Sequence, residues 1–434
     1  MRKLTFELEF ITPAFIGGAE PGSAELRPAS FVGLLRWWWR ALKGLDKMED
    51  LYREECEIFG GQLREGSRSG KVWFKLWGEP RKSDKPMKER YSLEWSYINR
   101  RLVGEHAGIG YLLYSVNLRT RHNLERTFLE AGSKFWLQIF GEEQYLKHVV
   151  ASLWALIYLG GVGSRSRRGA GNFDCLKVEP PIDWLSFKPD QNIFLWLSNN
   201  LKKAIQLVNG GKDFCAKYSN LSLSKIMLSN EEFDSWQGAL NHIGKIMMNF
   251  RRENRNRVFE MGAFGLPIRH SDGSFLKAEK HHRRASPTII KVLRVENKYI
   301  WMVLKLSGEP LPEGEQLIFN RQKGKMDYSI LEDFRLYLRK NNLAKSYLLT
   351  KPESLERITI LIKENLEPQR IILMGSRARG DASINSPIDL VVEGSNGKPL
   401  NLKSVDERIN LIEKITPMEE NAINREGVLL YERK

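Results

Sequence analysis

The alternation of apolar and polar residues predicts a regular order of elements in the first part of the chain. Residues 5–11 alternate strictly, which is typical of a strand, and residues 31–45 carry an apolar stripe at helical spacing after Ser30, the expected N-cap. Further strands are predicted at 72–77, 110–116, 134–140 and 173–178, and a helix at 142–159. This order indicates a ferredoxin-like βαββαβ domain with added strands over residues 1–182.

A second α+β unit is predicted from residue 183 to residue 345, after two consecutive prolines. Its expected elements are helices at 192–208, 230–250 and 326–339 and a hairpin formed by 289–295 and 299–306. The polar residues 340–346 are expected to link this unit to a third one at 350–434. In the third unit, a helix at 354–365, strands at 370–374 and 388–393 and the loop 375–387 predict a small α/β module.

The charge of the chain indicates a polyanionic partner. The net charge is +15 over 434 residues, and residues 351–434 hold 13 Lys and Arg against 14 Asp and Glu, so the whole excess lies before them. Such a field favours nucleic acid. Cys56, Cys175 and Cys215 are too far apart to suggest a disulfide framework or a zinc site, and no apolar run is long enough to cross a membrane. We therefore expect a cytoplasmic protein without a membrane contact.

Residues 160–172 (GGVGSRSRRGAGN) are the strongest candidate for a binding site. Glycines allow the backbone to approach a ligand closely, exposed amides can form an anion-binding concavity, and arginines add forked donors. The candidate residues of this glycine-arginine loop are Gly163, Ser164, Arg165, Arg167 and Arg168. The alternative interpretation is a mobile, solvated basic hairpin.

The predicted helix at 31–45 offers a second set of cations. Arg36, Arg40 and Lys43 share the side opposite the apolar stripe that contains Trp38, and they are the second binding candidates; a solvated face is the alternative. Trp37 and Trp39 flank the stripe and are expected to pack at the edge of the core rather than to stack on bases. We expect the loop amides to lie beside Arg36 and Arg40 in one groove.

The third unit resembles the nucleotidyltransferases of the small antitoxin type. The run Met374 to Asp381 (MGSRARGD), followed by residues 386–390 (SPIDL), carries the resemblance. It implies that a turn with Gly375 and Ser376 binds a triphosphate and that a strand with two acids holds Mg²⁺, which prefers hard oxygen ligands. Asp389 matches the second acid, but Pro387 stands at the first, and no strand with a third acid is evident after residue 396. We expect a vestigial, inactive site.

No metal site and no catalytic residue is predicted elsewhere. The seven histidines show no metal-ligand spacing on a helix. The first of them, His106, lies well beyond the first predicted helix, which disfavours an early histidine acting as a general base. We therefore expect no cofactor.

Four segments of the first 345 residues carry a second family resemblance, namely residues 11–19 (ITPAFIGGA), 24–42 (AELRPASFVGLLRWWWRAL), 160–173 (GGVGSRSRRGAGNF) and 283–287 (RRASP). These segments resemble RAMP proteins of the type III-B CRISPR effector (Cmr) complex, specifically its first-numbered subunit. The resemblance implies two ferredoxin-like domains in tandem and a subunit at one end of the complex. It also implies contact with the 3′ region of the guide RNA or with target RNA, without cleavage, and it adds Arg27, Arg283 and Arg284 to the RNA-binding candidates.

Two interpretations of function remain open at this point. The first is a non-catalytic subunit that binds single-stranded RNA, guide or target, together with other Cmr subunits, mostly through phosphate contacts. The second is a RAMP endoribonuclease that processes guide RNA. Nucleotidyl transfer by the third unit is a minor alternative.

Overall fold

Residues 2–179 form a four-stranded antiparallel sheet with long helices on one face. The structure is a computed structural model, and it describes residues 1–433 except 21, 100, 117–125, 213–215, 271–272, 282, 309–310, 313, 381, 383–384, 404 and 414. The elements of this first unit are β1 (Arg2–Phe10), α1 (Pro28–Lys43), α2 (Met48–Phe59), β2 (Gly61–Leu63), β3 (Gly66–Arg68), β4 (Val72–Trp77), α3 (Met87–Arg90), β5 (Ser96–Ile98), β6 (Arg101–Val103), α4 (Ala107–Leu112), β7 (Lys134–Gly141), α5 (Glu143–Leu159) and β8 (Phe173–Glu179). The strand order of the sheet is β4-β7-β1-β8.

Alternation places one face of this sheet in the core. Leu4, Phe6 and Leu8 of β1 are buried, and they belong to the same core cluster as Trp38 of α1 and Trp154 of α5. The prediction for Trp38 is therefore confirmed. Trp39, which was expected at the edge of the core, is wholly buried, and its Nε1 donates to Nδ1 of His148 at 3.1 Å. Helix α5 covers this side of α1, which the periodicity of one helix cannot reveal.

Two predicted local features of the first unit are wrong. Helix α1 begins at Pro28, because the fixed φ of proline suits the first helical turn, and its N-cap is Arg27 rather than Ser30. Residues 110–116, expected as a strand, form the end of α4 and a 3₁₀ turn. A Cβ on Gly108 would lie 2.0 Å from the backbone oxygen of Asn241, so glycine lets α4 cross a helix of the second unit at very close range.

The second unit contains another four-stranded sheet with the same arrangement of strands. Its elements are α6 (Ile193–Asn209), β9 (Asn220–Ser229), α7 (Trp236–Glu253), β10 (Ile268–Arg269), β11 (Phe275–Ala278), β12 (Thr288–Val295), β13 (Lys298–Ser307), β14 (Leu317–Phe319), β15 (Gln322–Gly324), α8 (Ser329–Lys340) and β16 (Ala344–Leu348), with a 3₁₀ turn at Glu260–Phe264. The main sheet has the order β12-β13-β9-β16, and β10, β11, β14 and β15 form a small second sheet. Residues 344–348 are thus an edge strand, which corrects the predicted linker.

The third unit packs against the second one. Its elements are α9 (Glu353–Leu366), β17 (Arg370–Met374), α10 (Gly375–Arg379), β18 (Ile388–Glu393), β19 (Ile409–Ile412), α11 (Pro417–Glu426) and β20 (Val428–Glu432), with the sheet order β19-β18-β17-β20. The first part of the predicted loop 375–387 is therefore helical. The amide of Gly308, just after β13, donates to the carbonyl oxygen of Gly380 at 2.9 Å. The α+β class of the whole chain is confirmed.

Polar groups buried between the first two units join them. The amide of Val292 in β12 donates to Oδ1 of Asn172 at 2.8 Å. Arg294 binds Glu9 at 2.5 Å and Asp174 at 3.3 Å. Nζ of Lys291 is wholly buried and donates to the carbonyl oxygen of Gly160 at 3.0 Å. Because each group has a partner in the other unit, the two units form one rigid base for the loops between them.

Lys291 gives this junction a predictable pH dependence. Burial lowers the pKa of Lys291 to about 7, although Asp174 opposes this shift. The unfolded chain, with a lysine pKa of about 10.4, binds more protons than the folded chain between pH 7 and pH 10, so this group makes stability rise with pH there. We expect Lys291→Met to remove a slope of up to about 1.4 kcal/mol per pH unit, measured by denaturant unfolding at several pH values.

The matched control is Lys345→Met, because Lys345 is exposed on edge strand β16. Its pH profile should parallel that of the unaltered protein. A Lys291→Met profile that also runs parallel would contradict the assignment of this proton.

Candidate nucleic-acid interface

The glycine-arginine loop is a tight turn held against the start of the chain. Gly163 and Gly171 have φ of +86° and +60°, and a Cβ on Gly171 would lie 1.9 Å from the carbonyl oxygen of Val162. The amide of Ser164 donates to Phe15 at 2.8 Å, and that of Gly171 donates to Pro13 at 2.8 Å. The loop is therefore fixed by backbone hydrogen bonds, which argues against the mobile hairpin.

The three arginines of the loop point in different directions. Arg165 donates from Nε to Oγ of Ser115 at 2.6 Å, and its guanidinium stacks 4.2 Å from the ring centre of Tyr114. Arg167 lies over Trp37 at 4.8 Å and donates to the carbonyl oxygen of Ser286. Nη2 of Arg168 donates to the carbonyl oxygen of Phe264 at 2.7 Å. Arg167 and Arg168 thus connect the first unit to the second one.

The surroundings of Arg167 and Arg168 make both cations strong anion attractors. Burial lowers the pKa of each to about 10, with Arg284 adding to the shift of Arg167 and Arg251 to that of Arg168. Both remain protonated at neutral pH, yet both have lost much of their hydration. Nη1 of Arg168 is buried and has no hydrogen-bond partner among the described residues. A cation in this state gains strongly from an anionic ligand.

A pocket of about 850 Å³ opens beside the loop, between the first and second units. Nine arginines line it, and no aspartate or glutamate is among the described lining residues. The nine are Arg101, Arg165, Arg167, Arg168, Arg251, Arg252, Arg255, Arg269 and Arg284. Because their charges converge without a compensating acid in the wall, the pocket concentrates positive potential and favours a polyanion.

Aromatic rings alternate with these cations. Tyr97, Tyr111, Tyr114 and Phe264 line the same pocket, and Tyr97 is 65% exposed on the hairpin of β5 and β6. Nη1 of Arg251 donates to the hydroxyl of Tyr111 at 3.1 Å, which orients that arginine. Planar rings next to cations suit unpaired bases joined by phosphates.

The sequence located part of this pocket and missed the rest. Arg165, Arg167, Arg168 and Arg284 line it as candidates from the sequence. Gly163 and Ser164 precede them in the loop, and Arg283 is exposed next to Arg284. The arginines of α7 and the turn after it were visible in the run RRENRNR at 251–257, whose spacing places Arg251, Arg252 and Arg255 on one side of a helix end. Nothing in the sequence indicated that Arg101, Arg269 or the tyrosines would lie in this pocket.

The cations of α1 lie elsewhere, contrary to the predicted shared groove. Nη1 of Arg36 and Nη1 of Arg40 bind the buried carboxylate of Glu55 in α2 at 3.1 and 2.9 Å. Lys43 pairs with Glu54 at 2.7 Å. They compensate acids of α2, and none of the three is among the described residues that line the pocket. Arg27 caps α1 and donates to Gly17 at 3.4 Å.

The nucleotidyltransferase-like turn is occupied by a side chain of its own unit. The amide of Gly375 donates to Oε1 of Glu426 at 3.1 Å, and Nη1 of Arg379 binds the two carboxylate oxygens of Glu426 at 2.9 and 3.1 Å. Ser376 lies in the same turn, in α10. These donors face a carboxylate where the resemblance implies a phosphate.

The strand that lies beside β18 carries no third acid, in agreement with the sequence. Strand β19 runs parallel to β18 and places Asn410 opposite Asp389, with Nδ2 of Asn410 donating to Oδ1 of Asp389 at 3.1 Å. An amide thus stands beside the single acid, while Pro387 precedes it. Among the residues that the structure describes, no group of three or more His, Cys, Asp or Glu is placed to hold a metal ion.

No helix in the described part of the chain is long and apolar enough to cross a membrane. Cys56 and Cys175 are buried free thiols, whereas Cys215 lies outside the described residues.

Comparison with known proteins agrees with this architecture. The RAMP superfamily profile matches residues 7–174, and the profile of the nucleotidyltransferase domain matches residues 356–433. The CRISPR system Cmr subunit Cmr1-2 of Pyrococcus furiosus is 35% identical over 191 residues, which is 41% of this chain and 96% of the relative. Subunit Cmr1-1 of the same organism is 25% identical over 326 residues, or 72% of this chain and 88% of the relative.

A solved structure shows the same fold. The crystal structure of apo Cmr1 from Pyrococcus furiosus has a TM-score of 0.57 and 20% identity, and the match covers 81% of this chain and all of the other. The glycine-arginine loop, the two sheets and these matches define the class: this is a RAMP-superfamily protein with a C-terminal nucleotidyltransferase-like domain. Within that class, the chain belongs to the Cmr1 family of CRISPR Cmr subunits.

Proposed function

We propose that this protein is a non-catalytic, single-stranded RNA-binding subunit of a type III-B CRISPR complex in the cytoplasm. It would hold the 3′ region of the guide RNA, the target RNA or both at one end of the assembly, in contact with other Cmr subunits. One observation carries the proposal, namely the pocket whose described wall contains nine arginines and no acid. A single strand suits this pocket because the exposed Tyr97 can stack only on an unpaired base.

We further propose that the two large sheets are ferredoxin-like domains in tandem. In each unit the second, third, first and fourth strands along the chain lie side by side in that order, with a helix after the first and the third strand. This arrangement is that of a βαββαβ unit. The glycine-arginine loop is the connection between the last helix and the last strand of the first one.

The salt dependence of RNA affinity tests the proposal. Each phosphate that an arginine neutralises releases a counterion, so the logarithm of affinity for a labelled single-stranded oligonucleotide should fall linearly with the logarithm of salt concentration, with a slope of about −0.7 per phosphate. Fluorescence anisotropy at several salt concentrations gives this slope. An affinity that does not change with salt would contradict binding through phosphates.

Two reactions should be absent. With Mg²⁺ and labelled nucleoside triphosphates we expect no incorporation, because Glu426 occupies the donors of the turn and Asp389 is joined by Asn410 and Pro387 instead of further acids. With guide and target RNAs we expect no cleavage. The candidate base for cleavage is His270, which lines the pocket. Incorporation lost on Asp389→Ala, or cleavage lost on His270→Ala, would assign an enzymatic function instead.

A further inference from the structure

The sheet of the first unit has a second face that takes no part in the core. In β7, Phe135, Leu137 and Ile139 are buried, whereas Trp136 and Phe140 point to the other side with intermediate exposure. Trp73 in β4 is 50% exposed on that same outward side. None of the outward aromatic side chains is among the described members of the core clusters. Packing in the hydrophobic core therefore does not explain the aromatic rings at these positions.

The rings form two cross-strand pairs. Trp73 lies opposite Phe140, and Trp77 lies opposite Trp136. The rings of Trp77 and Trp136 are nearly parallel, with centroids 6.4 Å apart and planes at 14°. Because the pairs are four residues apart along the strands, about 13 Å separates them. That distance leaves room for more than one base between the outer rings.

The positions between and beside the pairs are polar or cationic. Lys75 lies opposite Gln138 between the pairs, and its Nζ is 5.6 Å from the ring centre of Trp77. Lys3 of β1 lies opposite Phe140. Neither lysine has an ion pair among the described residues. The outward positions of β4 and β7 that hold the two pairs and Lys75–Gln138 contain no aliphatic side chain and no acid.

The acids on β1 and β8 are already paired with cations, and one of them, Glu7, lies opposite Trp136. Glu7 binds Lys134 at 2.9 Å, and Glu9 binds Arg294 at 2.5 Å. Glu179 pairs with Lys177 in β8. Lys75 and Lys3 therefore lie beside the rings as cations that have no ion pair among the described residues.

We infer that this aromatic face, defined as Trp73, Lys75, Trp77, Trp136, Gln138 and Phe140, is a second platform for single-stranded RNA. Bases stack on the two ring pairs, Lys75 contacts the phosphates between the pairs, and Lys3 contacts a phosphate beside Phe140. Stacking on rings is tolerant of sequence, and a four-stranded antiparallel sheet offers such rings at suitable spacing. Lysine is depleted at the core of protein–protein interfaces, whereas this face has Lys75 between the two ring pairs, so RNA suits it better than a protein partner. This platform is separate from the arginine pocket and extends the proposed function.

The test measures RNA affinity in two backgrounds, the full-length protein and a variant with Arg101, Arg252 and Arg255 changed to alanine. In each background, Trp73→Ala with Phe140→Ala should weaken binding of a labelled uridine 20-mer about tenfold, because the double variant loses two rings on which bases stack. Lys3→Glu with Lys75→Glu keeps all the rings and should weaken binding as well, which covers the case in which the first variant folds poorly. Photocross-linking of the same RNA should modify peptides that contain residues 72–77 and 134–140.

The control is Leu195→Ala, which truncates a large apolar side chain that is 51% exposed on α6 and should leave affinity unchanged. Unchanged affinity in both face variants, without cross-links to these strands, would overturn the inference. Intact RNA affinity combined with lost assembly with other Cmr subunits would overturn it in favour of a protein partner. Because the pocket variant is measured separately, failure of the pocket and failure of the aromatic face give different results.

Discussion

Replacing Glu332 by glutamine should lower the free energy of unfolding by about 3 kcal/mol or more, because it leaves buried cations without their carboxylate. The carboxylate of Glu332 is 3.0 Å from Nζ of Lys225 and accepts from Nε of Arg335 at 2.8 Å, and Lys305 donates to it as well. All four side chains are buried. Burial opposes ionisation of Glu332, but the three cations outweigh it and hold its pKa well below the ordinary range.

The same cluster connects the second unit to the nucleotidyltransferase-like domain. Lys305 also donates to the carbonyl oxygen of Arg379, and Arg335 donates to that of Arg425 at 3.0 Å. Both carbonyls lie at the C-terminal ends of helices, where the helix dipole stabilises positive charge. The cluster has three cations and one carboxylate, and the two carbonyl oxygens of the C-terminal domain stabilise the excess positive charge. Glu332→Gln should therefore weaken the attachment of the C-terminal domain to the second unit.

Chemical denaturation measures this effect, with Glu356→Gln as the control. Glu356 binds Lys202 at 2.9 Å, but that lysine side chain is 70% exposed, so losing the pair should cost less than about 1 kcal/mol. Similar small changes for both variants would show that the buried cluster does not stabilise the fold. Limited proteolysis near residue 350 should also become faster for Glu332→Gln alone.

Changing Arg101, Arg252 and Arg255 together to alanine should weaken single-stranded RNA binding roughly 100-fold, from contributions of about 1 kcal/mol for each phosphate contact. All three are exposed residues of the pocket wall, and none of their side chains has an ion pair or hydrogen bond among the described residues. Their removal therefore changes the ligand contacts rather than the fold. The slope of affinity against salt should fall by about 0.7 for each lost contact.

A variant with the same change of net charge controls for long-range electrostatics. Lys147, Lys202 and Lys363 lie on helices outside the pocket, and changing them to alanine should weaken binding only slightly. Equal losses for the two triple variants would mean that overall charge, and not the pocket, binds RNA. By contrast, Arg167→Ala should also reduce stability, because Arg167 bonds to the second unit.

Much of the first unit follows from its sequence because its elements bury one face locally. The alternation in β1 and the apolar stripe around Trp38 both predict correctly which side chains of these two elements are buried. The predicted strand at 110–116 failed because tertiary contact outweighs alternation there, since Gly108 permits a helix crossing. Strand β19 was not predicted, because Asn410 stands at the position where an acid would have marked the strand.

The candidate site was predictable only in part, for a physical reason. A sequence shows which residues are cationic but not which acids compensate them. Arg36 and Arg40 have the same appearance in the sequence as Arg252 and Arg255, yet Glu55 compensates the first two, and the last two have no acid partner among the described residues. Pairing between distant segments therefore decides which cations are free for a ligand.

A density map of the protein with bound single-stranded RNA would show directly whether the arginine pocket binds the RNA. Binding in this pocket predicts RNA phosphates within hydrogen-bond distance of Arg101, Arg252 and Arg255 and a base stacked on Tyr97. RNA bound elsewhere on the protein, with this pocket free of nucleotides, would contradict it.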